Sequence, residues 1–260
     1  MAGSPPRRAA AAGLVAPGVH VLGLLLVNVI AIEGVDGLTL VDAGAAGTVG
    51  ALRGRLRSLG YGLEDVRRVL VTHAHPDHVG GLPALVAAGA AVWAPAGDRA
   101  WVDEGRAPPL PERSTLPPLQ RLMARVPMAA MPVVRVERWI EAGEALDEVR
   151  PGLRTLALPG HTPGQLGFHL DREGVVIAGD ALMHVAPWWH PPIAAFTSDL
   201  AAAYRSAAAL VALDPRVLVV GHGPPAVAQA GRPVARQVRG ALARFPAWAR
   251  ASRSDAGARG

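Results

Sequence analysis

Neither cysteine nor lysine occurs in this 260-residue chain. Without thiols there is no disulfide framework, no thiolate metal site and no cysteine nucleophile, and the redox compartment is left open. Without lysine every basic side chain is arginine, which excludes Schiff-base chemistry and a lysine-dependent phosphate loop. Aromatic residues make up only 4% of the chain. They are too sparse to interleave with arginine as a base-stacking platform, so nucleic acid is not the expected partner. The net charge of +5, concentrated at Arg53-Arg55-Arg57 and between Arg232 and Arg259, reads as solvated helix faces. Long hydrophobic runs are missing too. The longest, Val21 to Ile32, contains Asn28 and falls well short of the ~20 residues that span a bilayer. Arg7-Arg8 precede an alanine run, but Pro17-Gly18 break it before an export signal forms. A cytoplasmic protein without membrane attachment is the expectation.

What remains is half apolar, with 30 glycines and 24 prolines, a composition of globular chains rich in turns. Apolar and β-branched runs predict strands at 19–21, 26–33, 38–42, 66–72, 91–94, 153–158, 166–170, 174–178 and 216–220. Helical spacing predicts helices at 48–59, 81–88, 198–213 (capped by Ser198 or Asp199) and 234–249, kinked at Pro246. Prolines dominate 105–135, leaving room for one short helix at 119–125; such an insertion suits a lid or pocket wall. Residues 1–13 and 251–260 read as tails flanking one domain over 14–250. Strands followed by helices occur twice along the chain. That order suits an α/β fold of two sheets with helices outside, a four-layer αββα sandwich.

Residues 73–78 read His73-Ala74-His75-Pro76-Asp77-His78, four metal-binding side chains within six positions. Pro76 lacks an amide hydrogen and pushes His75 towards extended geometry, so this segment is expected as a non-helical loop at the end of a buried strand. Three other apolar strands end similarly beside glycine: Leu158-Pro159-Gly160-His161, Val175 to Gly179-Asp180, and Leu218 to Gly221-His222. Four such endings argue for one shared site. Imidazoles and carboxylates without thiolates suit Zn²⁺, Fe or Mn.

The order of these motifs, with Thr39-Leu40-Val41-Asp42-Ala43-Gly44 before them, resembles the metallo-β-lactamase-fold hydrolases over about residues 19–225. The resemblance implies a first metal on His73, His75 and His161, a second on Asp77, His78 and His222, and Asp180 bridging the two. It implies two Zn²⁺ per chain, with Fe or Mn as alternatives, and a hydroxide shared between them as nucleophile. Asp77 would orient that hydroxide or take its proton. Asp42 resembles the family's supporting carboxylate, which fixes a ligand's tautomer.

An aspartate at position 180 resembles glyoxalase II and the lactonases rather than true β-lactamases, which usually carry cysteine or serine there. The lactonases usually have a tyrosine shortly after the bridging aspartate. Here Asp180-Ala181-Leu182-Met183-His184 offers His184 in its place as a candidate for polarising an oxyanion. Trp188, Trp189 and His190 lie in a proline-stiffened loop and are candidates for the wall of a substrate pocket. The expected activity is hydrolysis of a small ester, thioester or lactone with an apolar portion. The rivals are a persulfide dioxygenase using one Fe(II), a metal-dependent nuclease or phosphodiesterase, and a non-catalytic metal-binding protein. The partner is a small molecule, and monomer and homodimer are both open.

Overall fold

An antiparallel meander begins the first sheet: β1 (Leu14–Ala16), β2 (Val19–Leu24), β3 (Val27–Glu33) and β4 (Leu38–Val41). Helix α1 (Val49–Ser58) then returns the chain to β5 (Val66–Leu70), parallel to β4. Two short helices, α2 (Pro76–Val79) and α3 (Leu82–Ala87), lead to β6 (Ala91–Pro95). After α4 (Arg99–Glu104) and α5 (Pro118–Met123) comes β7 (Arg138–Ile140). Both β6 and β7 pair in parallel, completing a seven-stranded sheet in simple sequence order. This computed structural model describes residues 13–125, 127–185, 188–230 and 232–245.

The second sheet is built from β8 (Leu153–Ala157), β9 (Leu166–Leu170) and β10 (Val175–Ile177). A separate hairpin, β11 (Met183–Val185) and β12 (Trp188–His190), and helix α6 (Leu200–Ala212) follow before β13 (Val217–Val219) pairs in parallel with β10. Strand β14 (Ala226–Val227) closes that five-stranded edge, and α7 (Val234–Leu242) packs behind it.

Alternation along the strands decides the layers, because successive side chains point to opposite faces. In β3, Val27, Val29 and Ala31 pack with Leu52 and Leu56 of α1 and Leu82 and Leu85 of α3. Ile30 and Ile32 point the other way, onto Phe168, Leu170, Val175 and Ile177 of the second sheet. The far face of that sheet, Val176 and Leu218, packs against Leu210 and Val211 of α6 and Val238 and Leu242 of α7. Helix, sheet, sheet and helix therefore stack in the αββα order expected. Phe168 is fully buried between the sheets, and cutting it to alanine should cost roughly 3–5 kcal/mol.

The structure departs from the sequence reading where elements are short. Strands β1, β7 and β14, the β11–β12 hairpin and α4 span two to six residues each, too few for a period to show. Strand β2 runs on to Leu24 instead of ending at 21. Pro76 does not keep the motif loop free of helix: it sits at the first position of α2, where a missing N–H costs nothing. Asp199, not Ser198, caps α6, accepting from the Ala202 amide at 3.0 Å. Residues 1–12 and 251–260 of the expected tails, and Pro246 with the expected helix beyond it, lie outside the described residues. The proline-rich insertion is anchored: Leu116 and Met123 pack on Ala194, Ala195 and Phe196, and Gln120 accepts from the Ala195 amide at 3.1 Å. Among the described residues no helix is long and apolar enough to cross a membrane.

Candidate metal centre

All four motif endings converge at one edge of the sandwich. His73 and His75 follow β5; His75 is extended (φ −129°, ψ 148°), as a residue before proline must be. The single turn of α2 then brings Asp77 and His78 back, with the His78 amide donating to the His75 carbonyl at 3.0 Å. The other three side chains come from the second sheet: His161 after β8, Asp180 after β10 and His222 after β13. Gly221 is required here, since a Cβ on it would overlap Asp180 Oδ1. Gly223, at φ 97°, turns the chain away immediately after His222.

Three groups of ligand atoms each lie within 4.8 Å of one another: His73, His75 and His161; His73, His78 and Asp180; and Asp77, His78 and His222. Asp180 stands between the outer two. Its Oδ2 is 3.5 Å from His161 Nε2 and 3.1 Å from His222 Nε2, and its Oδ1 is 3.4 Å from His78 Nε2. Five of these atoms are buried without any hydrogen bond: Nε2 of His73, His75, His78 and His161, and Oδ1 of Asp180. Orphaned polar atoms are costly and rare in native interiors, and five gathered in adjoining groups of ligand atoms are the signature of a cation's donor set. The residues fit metal of the borderline-hard kind, all donors being nitrogen or carboxylate oxygen.

Behind the ligands, partners fix the ring orientations. Buried Asp42 accepts from His78 Nδ1 at 2.8 Å and from the Thr72 amide at 2.8 Å. The Thr72 hydroxyl also donates to Asp42 and can then accept from His73 Nδ1 at 2.9 Å. Across the site, Thr197 donates to the Ile193 carbonyl at 2.7 Å and accepts from His161 Nδ1 at 3.1 Å. His222 Nδ1 donates to the Leu26 carbonyl at 2.6 Å. Each of these partners favours a proton on Nδ1, so that Nε2 is the nitrogen turned towards a metal. Thr72, Thr197 and the Leu26 carbonyl were not foreseen. Thr72 adjoins the motif, a signal that was available, whereas Thr197 and Leu26 are brought in by tertiary structure alone.

Charge divides the cluster in two. Burial pushes His73 and His75 well below the usual imidazole value and His161 down to about 4, so these three are neutral. Burial opposes protonation of His78 and His222 as well, but carboxylates outweigh it: Asp180 and Asp42 hold His78 well above its usual value, and Asp180 and Asp77 hold His222 up to about 10. Asp77 is lowered to about 2, with His78 and His222 overcoming the cost of burial. Asp180 is likewise held well below the carboxylate range.

The remaining candidates lie around this centre. The His184 amide donates to the His222 carbonyl at 2.9 Å, its Nδ1 donates to the Pro224 carbonyl at 2.7 Å, and its ring stacks on Trp189 at 4.1 Å. These bonds tie His184 to the loop that carries His222. Trp189, expected on a substrate wall, is only 4% exposed and packs into the second sheet's helix-side core. Trp188 is 54% exposed and carries the Arg244 guanidinium 4.8 Å from its ring centre. His190 meets the Phe245 ring edge-on at 5.9 Å.

Comparison with known proteins agrees with this geometry. The family model of the metallo-beta-lactamase superfamily matches residues 22–222. A probable metallo-hydrolase of Bacillus subtilis (strain 168), YflN, is 28% identical over 230 residues, covering 81% of this chain and 85% of the relative. The crystal structure of a metallo-beta-lactamase family protein from Thermus thermophilus superposes with a TM-score of 0.65 at 28% identity, covering 92% of this chain and 81% of that one. A hydroxyacylglutathione hydrolase of Jannaschia sp. (strain CCS1) is 29% identical over 133 residues, 51% of this chain and 39% of the relative. With sequence, fold and ligand geometry in agreement, the chain belongs to the metallo-beta-lactamase superfamily.

Proposed function

We propose that this protein is a binuclear metal-dependent hydrolase that cleaves a small ester, thioester or lactone with an apolar portion. One observation carries the reading: Asp180 stands between two groups of ligands, one of three neutral imidazoles and one containing the Asp77 carboxylate. His73, His75 and His161 would hold the first metal, Asp77, His78 and His222 the second, and Asp180 both. Two Zn²⁺ are the best match to nitrogen and carboxylate donors, with Fe or Mn as substitutes. When bound, such a pair supplies an activated water and polarises the scissile carbonyl.

The chain's own residues do the rest. Asp77 has its side chain 43% exposed, the most accessible of the ligand carboxylates. Held ionised near pKa 2, it orients an incoming water through a carboxylate oxygen rather than storing a proton. His78 and His222 must give up their protons on metal loading, while His73, His75 and His161 bind without that cost. Trp188, exposed on the β11–β12 hairpin, presents the apolar face for an acyl group. The partial likeness to a hydroxyacylglutathione hydrolase supports the acyl-ester and thioester side of the range.

The test is anaerobic purification with elemental analysis, followed by a panel of esters, thioesters and lactones. Two zinc ions per chain with hydrolysis in that panel are expected. One iron with oxygen uptake on a persulfide would replace the reading with a dioxygenase, and metal retained without any hydrolysis would leave only a binding protein.

A further inference from the structure

Asp98 is a buried carboxylate that none of the roles above requires. It ends the short turn after β6 and is fully buried, and among the described residues no basic side chain pairs with it. An anion in that position persists only if hydrogen bonds repay its lost hydration. It receives three. Oδ2 accepts from the Ala74 amide at 3.0 Å and from the Thr162 hydroxyl at 2.6 Å, and Oδ1 accepts from the Gly164 amide at 2.7 Å.

The ordinary role of an aspartate before a helix is to cap it. Asp98 occupies the N-cap position of α4 yet makes no side-chain capping bond there. All three of its bonds leave its own element for two other loops. Ala74 lies between His73 and His75, and Thr162 follows His161. One carboxylate therefore ties together the backbones that carry all three imidazoles of the first group, joining loops that lie 24 residues before it and 64 to 66 after it. Asp42, by contrast, supports His78 directly and His73 through Thr72.

We infer that Asp98 is a positioning residue for the first metal site, setting the spacing of His73, His75 and His161 through Ala74, Thr162 and Gly164. The inference rests on the metal centre proposed above. It is tested by titrating zinc into the full-length chain against a competing chelator, in three backgrounds: wild type, His222→Ala to dismantle the second site, and His161→Ala to dismantle the first.

Asp98→Asn should weaken zinc binding by about 10- to 100-fold in the His222→Ala background, as loss of a ligand's supporting partner does. In the His161→Ala background the change should stay under about threefold, since Asp98 bonds to none of Asp77, His78 and His222. Thr162→Val, which removes one of the three bonds and keeps the charge, should lower affinity in the same direction. Thr162→Ser, which restores the hydroxyl, should return it to wild type. This Thr162 pair decides the matter if Asp98→Asn does not fold. Equal losses in both backgrounds, or wild-type affinity in Asp98→Asn and Thr162→Val, would overturn the inference while leaving the metal centre intact. A wild-type chain that binds no zinc would remove the metal centre itself.

Discussion

Asp42→Asn is the sharpest probe of how the centre is built. Asp42 adopts φ 63°, a left-handed conformation that asparagine tolerates almost as well as glycine, so the backbone is not the target of this change. Oδ1 of the native side chain accepts from the Thr72 amide, and Oδ2 accepts from His78 Nδ1, both at 2.8 Å. An asparagine can serve only one of these donors. If its oxygen stays with Thr72, its NH₂ faces His78 Nδ1, and the imidazole must move its proton to Nε2, losing the lone pair needed by a metal. If the amide flips, two donors face each other at Thr72. The first arrangement should cost the second site about 10- to 100-fold in zinc affinity, or about 1.4–2.8 kcal/mol, and the second should unsettle Thr72 and through it His73. The buried mismatch should also cost the metal-free fold roughly 1–3 kcal/mol. Chelator-competition titration reads the first quantity and urea unfolding in chelator reads the second. A variant that binds two zinc ions with wild-type affinity would show that Asp42 shapes the turn and nothing more.

Three further expectations rest on the same geometry. In chelator, the raised pKa of His222 means that its protonated form stabilises the fold fully below the ordinary value of 6.5, and that this contribution is lost as pH climbs through about 10. Melting temperatures of the metal-free protein should therefore decline over that interval, and a flat profile would contradict the Asp77–His222–Asp180 contacts. Asp180→Ala removes the shared ligand and should lower kcat/KM by more than the ~10- to 100-fold typical of supporting partners, with metal content falling and circular dichroism unchanged; wild-type rates would exclude the bridging role. Trp188→Ala should raise KM several-fold for apolar substrates while kcat and metal content hold, because its exposed ring stacks with Arg244 and is not among the candidate ligands. A loss in kcat alone would place the ring elsewhere in the mechanism.

The αββα architecture was legible because its long strands alternate or run continuously apolar: Val27 to Glu33 and Leu166 to Leu170 announce themselves by period and by β-branching. The seven ligand candidates were legible for a related reason, each standing where an apolar strand meets glycine or proline. Asp98 followed the same rule, after Ala91 to Pro95 and Gly97, but it lacks a histidine neighbour to draw notice. What could not be read is what tertiary packing alone assembles. Thr197 reaches His161 across 36 residues and the Leu26 carbonyl reaches His222 across 196; no local pattern encodes such meetings. The burial of Trp189 beside an exposed Trp188 depends on the two-residue alternation of a hairpin that was too short to anticipate.

Four of the candidate ligands hang from the loop after β5 and three from strand ends of the opposite sheet. An ion held there is a rivet through the seam between two halves that also meet through apolar side chains and through polar bonds such as those of Asp98 and Leu26. Its occupancy enters the unfolding equilibrium directly, adding about 4 kcal/mol when the free ion stands a thousandfold above its dissociation constant.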